Sequence, residues 1–333
     1  MATIRLGIDM GSSTTTIYRL NSGLVLREPS KVLCEKNSKG ILVREVGTKA
    51  SKLQGTTPDF MTVISPIVEG LVKDANCASK MLKTFVQKVT EDNPNAKVNA
   101  LINVPCGANL EERRKISIVG YNAGITQLNI IPNVIACALG AGCDIQSSQS
   151  QFIVDIGGGC TDIAVVGLCS IIHGMTLNVG SNQMDIAIQD YIEKRYGVHI
   201  NINTAQMLKE EIGSLLERDT ASMQVNGVDL NTNELKMINV TAGIVCEAVA
   251  EFYEIIADSI RSIISMCSKE IVANLHNVGI IICGKAGQIV GLDKFMQERV
   301  GLFVTIVDGN TTANGLGMLL GDKILLNAVL KEN

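Results

Sequence analysis

The sequence predicts an α/β protein built of two similar halves. Three observations carry that prediction. The chain echoes itself, because "LGIDMGSSTTTIYRL" (residues 6–20) can be laid over "FIVDIGGGCTDIAVV" (152–166) so that Asp9 meets Asp155, Gly11 Gly157, Thr15 Thr161 and Ile17 Ile163. Each copy reads as strand, small-residue turn, strand, with an acidic residue closing the first strand. With 333 residues the chain is also long enough for two sizeable cores.

Taken in order, "MATIRLGID" leads straight into the first strand, without the charged and apolar regions of a signal peptide. In "SKMLKTFVQKV" (79–89), Met81, Leu82, Phe85, Val86 and Val89 share one helical face. "VNALINVP" (98–105) and "VGIIICG" (278–284) are apolar runs that read as buried strands of a mixed sheet. The second hairpin follows at 152–166. The polar tract 217–235 reads as a hairpin excursion in a smaller subdomain, and helical spacing is sustained from Ile244 through Ile264. These stripes are read as core.

Composition removes several classes. Twenty-nine basic residues against 33 acidic ones leave a net charge of −4, so no basic surplus advertises a nucleic-acid or acidic-lipid surface. Ten singly scattered cysteines, without a C-x-x-C and with three histidines, argue against a Cys/His metal site and for a reducing, cytoplasmic setting. No apolar run approaches the roughly 20 residues needed to span a bilayer.

The two turns carry the chemistry. A Walker P-loop is excluded because no G-x-x-x-x-G-K-[ST] occurs, and a dinucleotide fingerprint because no helix opens directly after either turn. Glycines leave backbone N–H groups bare and able to wrap an anion, and neighbouring hydroxyls add donors. The candidate anion-binding residues are therefore Gly11, Ser12, Ser13 and Thr14 in the first turn and Gly157, Gly158, Gly159 and Cys160 in the second. An aspartate beside such a nest would repel phosphate unless a cation stood between them, so Asp9 and Asp155 are read as ligands of Mg²⁺ or of its water. The alternative is a pair of tight hairpins capped by aspartate.

These paired hairpins resemble the two phosphate motifs of the actin, Hsp70 and sugar kinase superfamily. Within it the chain resembles the bacterial actin MreB over nearly its whole length, through "GLVLREPSKV" (23–32), "VGTKASKLQGTTPDF" (46–60), "ISPIVEGLVKD" (64–74), "VPCGANLEERR" (104–114), "VGSNQMDIAI" (179–188) and "LKEEIGS" (208–214). The resemblance implies an actin-like fold, ATP (or GTP) with Mg²⁺ in an interdomain cleft, and self-assembly into filaments. It implies a first domain of 1–145 with a small subdomain at about 30–68, completed by 315–333, and a second of 146–314 with a small subdomain at about 182–242. Residues 24–47 would belong to the first small subdomain. Lys209 and Glu211 match the segment whose side chains approach ribose and adenine in relatives, and Gly315 and Gly317 start a helix near the hinge.

Departures from the family pattern are informative. Where MreB-like chains read roughly "IEEP" and a glutamate or glutamine orients the attacking water, this chain has "IIPNVIACALGAG" (130–142), with Asn133 at the matching position. Asparagine can hydrogen-bond but takes no proton, so hydrolysis should be slow or negligible; the other reading is that Asn133 caps the following helix. "GGGTTE" has become "GGGCTD", which exchanges a hydroxyl for the Cys160 thiol, keeps Thr161 as a catalytic candidate and shortens a glutamate to Asp162. The thiol is read as unreactive rather than as a nucleophile. The adenosine motif "TGGGA" has become "CGKAG" (283–287), so Gly284, Lys285, Ala286 and Gly287 line the expected base site, with Lys285 either reaching over the nucleotide or blocking it.

The resulting expectation is an MreB-like filament protein that binds ATP-Mg and partners with copies of itself and with other MreB-type chains. The alternative is a non-polymerising or regulatory clamp or chaperone-like ATPase of the same superfamily. Nucleic acid is not an expected partner. The polar loop "TEDNPNAKVNA" (90–100) and the absence of an N-terminal amphipathic helix suggest no strong intrinsic membrane binding.

Overall fold

The computed structural model describes residues 2–37 and 40–333. The first half runs β1 (Thr3–Met10), β2 (Thr14–Arg19), β3 (Gly23–Pro29), β4 (Val32–Asn37), β5 (Gly40–Val46), α1 (Thr48–Ser51), β6 (Met61–Ile64), β7 (Ile67–Val68), β8 (Leu71–Val72), α2 (Ala75–Val89), β9 (Lys97–Val104), α3 (Leu110–Asn122), β10 (Gln127–Pro132) and α4 (Asn133–Gly140). The second runs β11 (Gln151–Ile156), β12 (Thr161–Gly167), β13 (Ser170–Leu177), α5 (Ser181–Tyr196), β14 (Val198–His199), α6 (Ile202–Ile212), β15 (Ser222–Asp229), β16 (Leu235–Thr241), α7 (Ala242–Met266), α8 (Lys269–Val278), β17 (Ile280–Cys283), a 3₁₀ turn (Lys285–Gln288), α9 (Leu292–Val300), β18 (Val304–Ile306), α10 (Thr311–Gly321) and α11 (Lys323–Glu332).

Local chemistry sets these boundaries. Asp74 caps α2 by accepting from Cys77 N at 2.8 Å, and Asn109 with Glu112 forms a reciprocal capping box on α3. Helix α5 stops at Gly197, whose φ of 62° places it in the left-handed region. The residues assigned to one face of α2 are all buried, as are Ile244, Tyr253, Ile256 and Ile260 along α7.

The internal echo becomes a repeated topology. One five-stranded sheet has the order β3-β2-β1-β9-β10 and the other β13-β12-β11-β17-β18. Each opens with an antiparallel meander and continues with two parallel strands, a mixed sheet in both cases. Register carries the repeat to single residues: Asp9 pairs with Thr16 and Asp155 with Asp162. A small sheet, β5-β4-β6, hangs from the first large sheet, while β14-β15-β16 accompanies the second. Residues 24–29 of the stretch 24–47 form β3 and therefore belong to the large sheet.

One apolar core draws on residues from Ile4 to Ile125, and another on residues from Phe152 to Val304. A third core lies between them, around α4 and α10, with Leu101, Ile153, Ala164, Leu316 and Val329. There the two helices cross backbone on backbone: a Cβ on Gly315 would stand 1.8 Å from Ala136 O, and one on Gly140 1.8 Å from Thr311 O. Only glycine permits that approach.

Candidate functional site

Both hairpin turns open onto one cleft of about 650 Å³, within the usual size range of ligand sites. The turns are built alike, with Gly11 N donating to Thr14 O at 3.1 Å and Gly157 N to Cys160 O at 2.9 Å. They also touch each other. A Cβ on Gly158 would meet Ser13 Oγ at 2.1 Å and one on Gly159 would meet Ser12 Oγ at 2.4 Å, so the facing serines exclude side chains there. Ser13 Oγ donates to Asn182 Oδ1 and Ser12 Oγ accepts from Gly70 N, both at 2.8 Å. Among the described residues, the backbone N–H groups of Ser12, Ser13, Gly158 and Gly159 have no protein acceptor. The carbonyls of Gly157 and Gly158 are taken by Ser181 N and Asn182 N at the start of α5, which turns the bare N–H groups outward.

Below the turns sits a carboxylate cluster. Burial and the neighbouring Asp155 push the Asp9 carboxyl up to about 7, against opposing pulls from Asn103 and Arg27. Burial pushes Asp155 up to about 6, offset by its bond to Asn133 and reinforced by Asp162. Asp162 is also raised, chiefly by burial. Asn133 knits the cluster together. Its amide nitrogen donates to Asp155 Oδ2 (2.6 Å) and Asp162 Oδ2 (3.0 Å), and its Oδ1 accepts from Asn103 Nδ2 (3.0 Å) and Thr312 Oγ1 (3.2 Å). All four hydrogen-bonding positions of that amide are used. Asn103 also donates to Asp9 Oδ1 at 2.8 Å and accepts from Met10 N at 3.0 Å.

The capping reading of Asn133 is corrected. Pro132 is the N-cap of α4, no side chain caps the helix, and Asn133 turns its amide into the carboxylates instead. Thr161 does not reach the cleft: it is fully buried at the start of β12 and its hydroxyl donates to Val179 O at 2.7 Å. Alternation along the strand points its successor Asp162 inward instead. Thr176 Oγ1 donates to Asp162 at 2.5 Å, as does Cys106 N at 3.1 Å. Cys160 lines the cleft, and burial beside Asp162 and Asp155 holds its thiol far above the ordinary range, in line with an unreactive group.

At the far end of the cleft, Lys285 opens the 3₁₀ turn and pairs with Glu210 at 2.5 Å. Lys285 lines the cleft, while Glu210 lies outside its lining. Gly284 lines the cleft, with φ of 85° and a virtual Cβ 2.6 Å from Asp155 Oδ1, while Ala286 and Gly287 turn into the core. Lys209 is buried in an ion pair with Asp185 and bonds Ser181 O at 2.8 Å. Glu211 is exposed and outside the cleft lining; Gln206 and Asn203 of α6 line it. The sequence reading also missed Asn103, Thr312 and the segment Asp308–Thr312 on the cleft floor. Asn103 had one visible signal, a polar residue interrupting an apolar strand.

This donor set fits a hydrated Mg²⁺-phosphate. It offers hard carboxylate oxygens beside bare N–H groups, yet among the described residues no cluster of three ligating side chains encloses an ion by itself. Mg²⁺ commonly takes one or two carboxylates and completes its shell with phosphate oxygens and water.

Comparison with known proteins agrees with this architecture. The cell shape-determining protein MreB of Pasteurella multocida (strain Pm70) is 30% identical over 320 residues, covering 94% of this chain and 91% of that protein. The crystal structure of MreB5 of Spiroplasma citri bound to ADP has a TM-score of 0.90 at 25% identity, covering 98% of both chains. A MamK double helical filament has a TM-score of 0.80 at 21% identity, covering 96% of this chain and 99% of that one. The MreB/Mbl protein family matches residues 3–326, and with the repeated sheets and facing turns this places the chain in the MreB/Mbl family of actin-like proteins.

Proposed function

We propose that this chain binds ATP, or GTP, with Mg²⁺ in the cleft and assembles with copies of itself into cytoplasmic filaments, with hydrolysis slow or negligible. The observation that carries the nucleotide reading is the pair of facing turns, whose bare N–H groups share one cleft with the carboxylates. The N–H groups of Ser12, Ser13, Gly158 and Gly159 bind phosphate oxygens, and Asp9 and Asp155 hold the cation or its waters. When bound, Mg²⁺ neutralises polyphosphate charge. Gly284, Lys285, Gln206 and Asn203 border the base end. The starts of α4 and α10 also face the cleft, and their positive helix ends favour an anion there. The ADP bound to the Spiroplasma citri relative supports this assignment, and the MamK filament supports self-association.

Slow turnover follows from Asn133. Its amide takes no proton, and orienting a water would break one of four buried hydrogen bonds. Calorimetry with ATP and GTP, each with and without Mg²⁺, tests binding; no heat at millimolar nucleotide would overturn it. Ultracentrifugal pelleting and negative-stain imaging with ATP, ADP and no nucleotide test assembly. Filaments support this reading, whereas monomers under all three conditions would favour a nucleotide-dependent clamp.

A further inference from the structure

Arg27, on β3, and Lys31, just beyond that strand's end, line the same cleft as Asp9 and the two serines. They sit at the neck where the chain passes from the large sheet into the small β5-β4-β6 sheet. Among the described residues neither has an ion-pair or hydrogen-bond partner for its cationic head. The adjacent carboxylate is already committed, since Glu28 holds Lys88 and accepts from Thr48 N at 2.8 Å. Lys31 is half-buried, with its carbonyl fixed by Gly47 N at 2.8 Å, and burial lowers its affinity for a proton. The carboxylates of Asp9, Asp155, Asp162, Asp185 and Asp308 line the same cleft, and of these Asp9, in the cluster read above as a cation site, feels the charge of Arg27. A partly dehydrated ammonium and a guanidinium that line one cleft, neither of them in an ion pair among the described residues, match an anionic ligand.

We infer that Arg27 and Lys31 recognise the terminal phosphate of a nucleoside triphosphate, so that discrimination between tri- and diphosphate resides at the neck of the small sheet. The inference rests on the nucleotide reading above. It is tested by displacing a fluorescent nucleotide with ATP or ADP, in Mg²⁺, from wild type, Lys31→Ala, Arg27→Ala and Lys31→Arg. The expected result is a loss of about tenfold or more in ATP affinity for either alanine variant, a change of less than about threefold for ADP, and retention of the ATP preference in Lys31→Arg. Thermal melts of each variant report whether the fold is kept. Equal losses for ATP and ADP, or unchanged affinities in folded variants, would overturn the inference. A wild-type protein that binds neither nucleotide would defeat the nucleotide reading itself, and this inference with it.

Discussion

Asn133 sets the chemistry at the scale of single residues, because its amide donates to two carboxylates that would otherwise repel each other. A glutamate there would add a further negative charge against Asp155 and Asp162. Asn133→Glu should therefore melt earlier than wild type at pH 7.5 without Mg²⁺, recover towards pH 5, and release phosphate faster only with Mg²⁺ present. Flat turnover in the folded variant would mean that water activation is not limiting. Asp9 gives a signed pH dependence. Its folded pKa of about 7 lies above the ordinary 3.8, so between those values the folded state binds more protons than the unfolded one, and this group's contribution to stability falls as pH rises. In Mg²⁺-free buffer, Asp9→Asn should remove that fall, and denaturant midpoints from pH 4.5 to 7.5 measure the difference from wild type. The aspartates and glycine turns were legible because each lies in one short segment. The Asn103–Asn133–Thr312 network was not, since its members are separated by 30 and 179 positions and meet only through the fold.

Elements are held in place by a few contacts of high consequence. Lys209 of α6 and Asp185 of α5 form a buried ion pair, and Lys209 also bonds Ser181 at the start of α5, which in turn holds the second turn's glycines. Lys209→Met leaves Asp185 buried without its counter-charge, and the expected destabilisation is about 3–5 kcal/mol in denaturant unfolding. Lys209→Met with Asp185→Asn should recover part of it. Lys209 thus supports α5 and the second turn, a role invisible in sequence because ligand and ion-pair lysines look alike. Gly315→Ala should cost more than about 3 kcal/mol by the same measurement, because backbone lies where the added carbon must go. The sheets were legible from apolar runs and alternation. The α4–α10 crossing was not, because its close approach depends on two glycines 175 positions apart, 315 − 140.

Across the whole molecule, the two five-stranded sheets repeat one topology, and their last strands lead into α4 and α10, which meet in the central core. This symmetry was legible from one aligned pair of fifteen-residue segments, since the same register constraints operate on both. Saturating nucleotide with Mg²⁺ should change the radius of gyration in solution scattering, while amides at 134–139 and 313–320 stay among the slowest to exchange hydrogen. Fast exchange along both helices would contradict a rigid centre. Where main chain rests on main chain without intervening side chains, sliding meets immediate steric resistance and turning meets little. An occupant of the cleft is therefore expected to reach the distant edges as a twist of one half against the other about the glycine crossing, which solution scattering with and without nucleotide checks.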